Sequence, residues 1–152
     1  MKRIVLAALL VLGLGAVAWA DSIVVGFGAE PVLYAPLSAS IGYAGPNWVV
    51  LGQKAALNSF YGVWSICALW NPVAGQIGDT SVVTRWRVGG TIGIDWEPTY
   101  ISYGGASIIA GAEIDWSILT GYIQFAIGGS QLIMPQIGIE LRIPLGNASP
   151  TG

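Results

Sequence analysis

The chain has 152 residues, of which only 9% are charged and 54% apolar, with a net charge of −2, a single cysteine and no histidine. This length suits one domain, the missing histidine excludes Ser-His triads and His-metal centres, and one cysteine excludes an internal disulfide. Against roughly 25% charge in an ordinary soluble domain, the polar supply is short, and nothing in it forms a basic patch for nucleic acid.

The N-terminus sets the first expectation. Lys2 and Arg3 precede an apolar run from Ile4 to Val17, and Ala18-Trp19-Ala20 offers small residues before Asp21. That order reads as a secretory signal peptide over 1–20, giving an exported chain. The expected domain is then a barrel over 21–145, with a short tail over 146–152. After position 20 there are four basic residues (Lys54, Arg85, Arg87, Arg142) and eight acidic ones. Cys67 reads as a small packing residue, because no histidine or second cysteine can activate or pair it.

Export with few charges suggests a membrane, which can be crossed only by helices or a closed barrel. The stretch 55–78 is uncharged and long enough for a helix, but Asn58, Gly62, Asn71, Pro72 and Gly75 interrupt it. Strands are tested by parity, since side chains alternate between the two faces. Ile23, Val25, Phe27 and Ala29 share one face, followed by Leu33 to Tyr43 on odd positions. The segment Ala44-Gly45-Pro46-Asn47 is turn-like and sets Tyr43 beside Trp48. Strands over 48–54 and 57–70 follow, the second apolar on both faces.

In "TRWRVGGTIGIDWEPTY" (84–100) the apolar stripe stays on the even positions from Val82 through Trp96, with only Thr84 polar among them, so Gly89-Gly90 is not a turn but the middle of one long strand. Parity then persists across a three-residue turn, Glu97-Pro98-Thr99, which places Trp96 beside Tyr100. It switches after Trp116, which requires a loop of even length. A three-residue hairpin at Gly128-Gly129-Ser130 preserves it into Ile133 to Ile143. The resulting strands are 22–29, 33–43, 48–54, 57–70, 81–96, 100–116, 121–127 and 131–143. Eight is an even number, as an all-β, antiparallel, up-and-down transmembrane β-barrel of bacterial type requires.

The charges decide which way such a barrel faces. Arg85, Arg87, Asp95, Glu113, Asp115, Gln124, Gln136, Glu140 and Arg142 fall opposite the apolar stripe. Trp86 and Trp96 lie on that stripe, and their spacing along a strand tilted near 40° projects to roughly 25 Å, the height of an outer-membrane apolar band. Tyr43, Trp48, Trp86, Trp96 and Tyr100 are therefore the expected membrane-interface aromatics. Trp116 overshoots their level. Arg85, Arg87, Glu113, Asp115, Gln124, Glu140 and Arg142 are the expected lumen cluster, where buried charges must pair.

With signal peptide, alternating strands, aromatic girdles and a charged interior, the chain resembles the small eight-stranded outer-membrane barrels of the OmpA and OmpX type. The resemblance is architectural and covers nearly all of the chain after position 20. Its end, "PLGNASPTG", departs from the family in lacking a C-terminal aromatic, and its loops are short, with 71–80 the longest. The implied role is a non-enzymatic envelope protein or a narrow passage for small solutes in the bacterial outer membrane. Its partner would be membrane lipid, with no nucleic acid, cofactor, metal or catalytic residue. The carboxylates of Glu113 and Asp115 share a strand face as a glycosidase pair would, but ordinary lumen alternation gives the same spacing. Two alternatives stay open: a secreted soluble β-barrel or sandwich binding an apolar or carbohydrate ligand, and a small helical membrane protein.

Overall fold

The computed structural model describes residues 20–29, 37–54, 62–96, 101–128 and 131–146, and every regular element among them is a strand. These are β1 (Ser22–Ala29), β2 (Leu37–Gly45), β3 (Trp48–Lys54), β4 (Gly62–Trp70), β5 (Val73–Gln76), β6 (Val82–Trp96), β7 (Ile101–Trp116), β8 (Leu119–Gly128) and β9 (Gln131–Pro144). All neighbours pair antiparallel. β1 pairs with β9 and β4 with β6, so the sheet closes on itself. This sets aside the helical alternative.

Nine strands make eight staves. β4 and β5 both pair with β6 and are separated by Asn71 and Pro72. Proline has no N–H for the ladder and interrupts it. The interruption is bridged by other bonds, from Asn71 N–H to the Asn47 carbonyl and from Trp86 N–H to the Pro72 carbonyl. The expected loop over 71–80 therefore contains a short strand and extends the barrel wall.

One circuit of the ladder gives the barrel's stagger. Ile92, Ile66, Gly52, Ile41, Val25, Leu141, Leu119, Trp116 and Val82 are successive partners, so the path returns to β6 ten residues lower. For eight staves this stagger tilts the strands by about 40° and gives a backbone radius of roughly 8 Å. Bending a sheet that tightly needs glycine where neighbouring backbones converge. A Cβ at Gly42, Gly89 or Gly111 would run into the carbonyl of Val50, Ala68 or Ile123 on the next strand.

Three expected turns differ from the observed ones. Gly45 pairs with Trp48 across Pro46-Asn47, so Tyr43 faces Val50 rather than Trp48. Trp96 pairs with Ile101 instead of Tyr100, leaving the four residues 97–100 between them. The expected Glu97-Pro98-Thr99 turn and Tyr100 lie outside the described residues. Parity survives because a bulge between Gly93 and Ile94, opposite Gly105 and Tyr103, restores it. Likewise β8 continues to Gly128, which pairs with Gln131, and a bulge between Ala126 and Gly128 replaces the third turn residue. At both bulges a glycine adopts positive φ, 110° at Gly105 and 131° at Gly128. The β7–β8 turn is Ser117-Ile118, of even length as parity required.

The two surfaces are inverted relative to a water-soluble fold. Phe27, Ile41, Ile92, Ile108, Trp116 and Ile139 are each more than half exposed on the outside. Inside, Arg87, Glu113 and Glu140 are each 1% exposed.

Candidate functional site: the ion-paired lumen

Alternation on β6, β7, β8 and β9 carries polar side chains inward from four adjacent staves. Arg85 and Arg87 come from β6, Glu113 and Asp115 from β7, Thr120, Tyr122 and Gln124 from β8, and Gln136, Glu140 and Arg142 from β9. Arg87 is the hub. Its Nη1 donates to Glu113 Oε2 at 2.7 Å, its Nη2 to Glu140 Oε1 at 2.8 Å and its Nε to Gln124 Oε1 at 2.9 Å. Its guanidinium also lies 4.3 Å from the centre of the Tyr122 ring. A planar fork with five donors can serve three acceptors and a ring face together, which a lysine ammonium cannot.

Glu113 is the counter-hub. Besides Arg87, its Oε1 accepts from Arg142 Nη2 at 2.9 Å and from Asn71 Nδ2 at 2.8 Å. Glu140 Oε2 has no hydrogen-bond donor but lies 3.6 Å from Arg142 Nη2. Nearer the barrel end, Arg85 Nε donates to Asp115 Oδ2 at 2.6 Å, and Thr120 Oγ1 donates to Asp115 Oδ1 at 2.7 Å. Arg85 Nη1 also donates to the carbonyls of Pro46 and Asn71, at 2.8 and 3.1 Å. Gln124 Nε2 continues the network to Gln136 Oε1 at 2.7 Å. Three arginines thus meet three carboxylates, and the cluster is formally neutral.

The structure brings all seven expected lumen residues together: Arg85, Arg87, Glu113, Asp115, Gln124, Glu140 and Arg142. On the ladder Arg85 stands directly opposite Glu113, and Asp115 faces Thr120. The lumen is also not polar throughout. The wall made by β1 to β4 turns Val24, Ala44, Val49, Leu51, Cys67 and Leu69 inward, and Ile109 joins them from β7. That is why positions 62–70 carry large apolar groups on both faces. Polar wall faces apolar wall, with the ion pairs between.

Asn71 was missed as a site residue. It reads in sequence as a strand breaker, yet its side chain is completely buried and bonded to Glu113. Tyr122 was legible by parity, since it shares the inward face with Thr120 and Gln124. Its hydroxyl lies 2.5 Å from where a Gly138 Cβ would stand and 2.7 Å from a Gly28 Cβ, so the phenol lies across both glycines. Among the expected interface aromatics, Trp86 is 57% exposed while Tyr43 and Trp48 are half-buried on the outer face. Trp96 is placed only through its pairing with Ile101, and Tyr100 lies outside the described residues.

Among the described residues, no group of three His, Cys, Asp or Glu side chains could hold a metal ion. No family model and no curated protein matches the chain. Among solved structures, the chain is similar to the solution NMR structure of de novo designed TMB2.3, a designed transmembrane β-barrel, at 14% identity and a TM-score of 0.52. The match covers 83% of this chain and 97% of that one. At that identity the likeness is one of fold, an antiparallel eight-stranded barrel.

Proposed function

We propose that this chain is an exported, non-enzymatic barrel of the bacterial outer membrane, embedded in lipid and closed inside by its ion-paired cluster. It acts as a structural envelope protein rather than a wide solute pore. The observation that carries this reading is the polarity inversion, with an apolar exterior around buried, ion-paired arginines and carboxylates. A soluble ligand-binding barrel would need the opposite arrangement. The likeness to the designed transmembrane barrel agrees with it.

The height of the aromatic residues lends further support. The ten-residue stagger, shared over eight staves, lowers successive partners by a little more than one residue each. On that staircase Tyr43, Trp48, Trp70, Trp86 and Trp116 all point outward within about 9 Å of one height, a girdle's placement. Trp116 no longer overshoots. The ion cluster lies inside at the same level, so the proposed plug sits near the interface on the side of the turns 46–47 and 117–118.

Liposome flotation and planar-bilayer recording test this reading together. The purified chain should float with lipid and show no steady conductance, whereas Arg87→Ala, checked for folding by heat-dependent gel mobility, should conduct. Recovery of the wild type in the aqueous fraction without detergent would overturn the membrane reading. A folded but silent Arg87→Ala would overturn the plug.

A further inference from the structure

The inner face changes character along the barrel axis. On β3, Leu51 is 4% exposed, yet Gln53, the next inward position, is half-buried. The same step runs from buried Cys67 to half-buried Ser65 on β4 and from buried Ile109 to half-buried Ser107 on β7. On β6, buried Arg87 gives way to half-buried Thr91, and Gln136 of β9 is also half-buried. The packed positions on these strands are covered from both sides, so the exposure of their inward neighbours is exposure to the lumen. On the staircase of staggered partners, Gln53, Ser65, Thr91, Ser107 and Gln136 lie within about 5 Å of one height. That height is roughly 13 Å from the centre of the ion cluster, on the side away from the turns 46–47 and 117–118.

An eight-stranded barrel is filled when its inward side chains are large. Serine and threonine are short, and inside a backbone radius of roughly 8 Å they leave a free width of roughly 7 Å. The five side chains come from five of the eight staves and present three hydroxyls and two amides, none with a formal charge. Thr91 Oγ1 is enclosed and has no hydrogen-bond partner among the described residues. An enclosed hydroxyl of that kind calls for a partner from within the lumen. Below this level the floor is already paired: Gln124 Nε2 donates to Gln136 Oε1 at 2.7 Å, and the arginines and carboxylates hold one another. Above it, Asp95 is the one charged side chain on the inner face among the described residues, and Lys54 lies outside against Trp64.

We propose that this part of the lumen is a blind binding chamber for a small neutral polyol, reached from the side away from the turns 46–47 and 117–118 and closed at its floor by the ion cluster. An ion entering it gives up hydration and finds the counter-charges of the floor already engaged. A hydroxylated molecule instead exchanges hydrogen bonds with water for bonds to hydroxyls and amides. One polyol displaces several waters whose bonds it reproduces, which keeps the enthalpy and releases the waters. The proposal rests on the reading of the cluster as a plug. Steady conductance of the unaltered chain would sink the plug, whereas the thiol chemistry below decides the chamber.

The test uses the full chain in phosphatidylcholine vesicles and methyl methanethiosulfonate, a small neutral thiol reagent, with folding of every variant checked by heat-dependent gel mobility. Only a thiolate reacts, so a thiol packed in the core or lying in hydrocarbon stays silent. Ser65→Cys in a Cys67→Ala chain should react at least tenfold faster than native Cys67 in the unaltered chain, and than Ile66→Cys on the outer face. Erythritol should slow the Ser65→Cys reaction at least threefold and saturably, and Thr91→Val in the same chain should remove most of that protection. Choline chloride and sodium acetate should give none, and erythritol should leave a thiol at Thr80→Cys, on an exposed turn, unaffected. A Ser65→Cys thiol as inert as Cys67 would mean that no chamber exists. A reactive thiol that erythritol does not protect would mean that water alone fills it. Equal protection by the salts, or full protection without the Thr91 hydroxyl, would mean that the ring of neutral groups selects nothing. Each of these results would overturn the proposal.

Discussion

At the residue scale, the cluster works because each charge has more than one partner. Glu113 holds Arg87, Arg142 and Asn71 at once. Replacing it by alanine leaves a buried guanidinium short of a counter-charge, and breaking such a pair costs about 3–5 kcal/mol. Chemical denaturation of the refolded protein in detergent should show that loss for Glu113→Ala. Asn71→Ala removes one neutral donor and should cost about 1–3 kcal/mol in the same assay. A substantially larger effect for Asn71→Ala than for Glu113→Ala would contradict the assignment of Glu113 as counter-hub. Gly138 has a different task, since a side chain there would displace the Tyr122 phenol that backs Arg87. Gly138→Val should therefore destabilise the barrel, and Tyr122→Ala in the same chain should recover part of the loss.

At the scale of elements, the turns and bulges carry the information that parity could not separate. Ser117 has φ 59° at the first position of a two-residue hairpin, a conformation unfavourable for branched side chains. Ser117→Val should cost about 1–2 kcal/mol and Ser117→Gly should cost no stability, read from denaturation midpoints. The alternation of Val82 through Trp96 was legible because one face carries no charge and the other holds Arg85, Arg87 and Asp95, and a one-residue slip would reverse every side chain. The bulges at Gly93/Ile94 and Ala126/Gly128 were not legible. A two-against-one pairing shifts parity by one, as an odd turn residue does, and the two devices cannot be told apart along the chain. β5 was hidden for another reason: Pro72 and Gly75 look like loop, and only the pairing of Val73 with Arg85 makes that segment part of the wall. The expected lumen cluster was readable because charge inside an apolar strand stands out. Its neutral member Asn71 was not, because asparagine before proline marks a break in any fold.

At the scale of the whole molecule, the barrel is folded inside-out and mixes two interiors. The apolar inner wall of β1 to β4 supplies packing, and the polar wall of β6 to β9 supplies directional bonds that fix one arrangement of the cross-section. Filling is expected at this size, since an eight-stranded barrel leaves an interior that side chains just occupy. The placement of the outer face in hydrocarbon, proposed above, is tested most directly by spin labels placed one at a time at Ile41, Ile108 and Ile139, in a Cys67→Ala chain reconstituted in lipid vesicles. Each label should be readily relaxed by oxygen, which concentrates in hydrocarbon, and shielded from a water-soluble nickel chelate. Labels at these three positions that the nickel chelate relaxes as strongly as it does an exposed turn would contradict the membrane-embedded barrel.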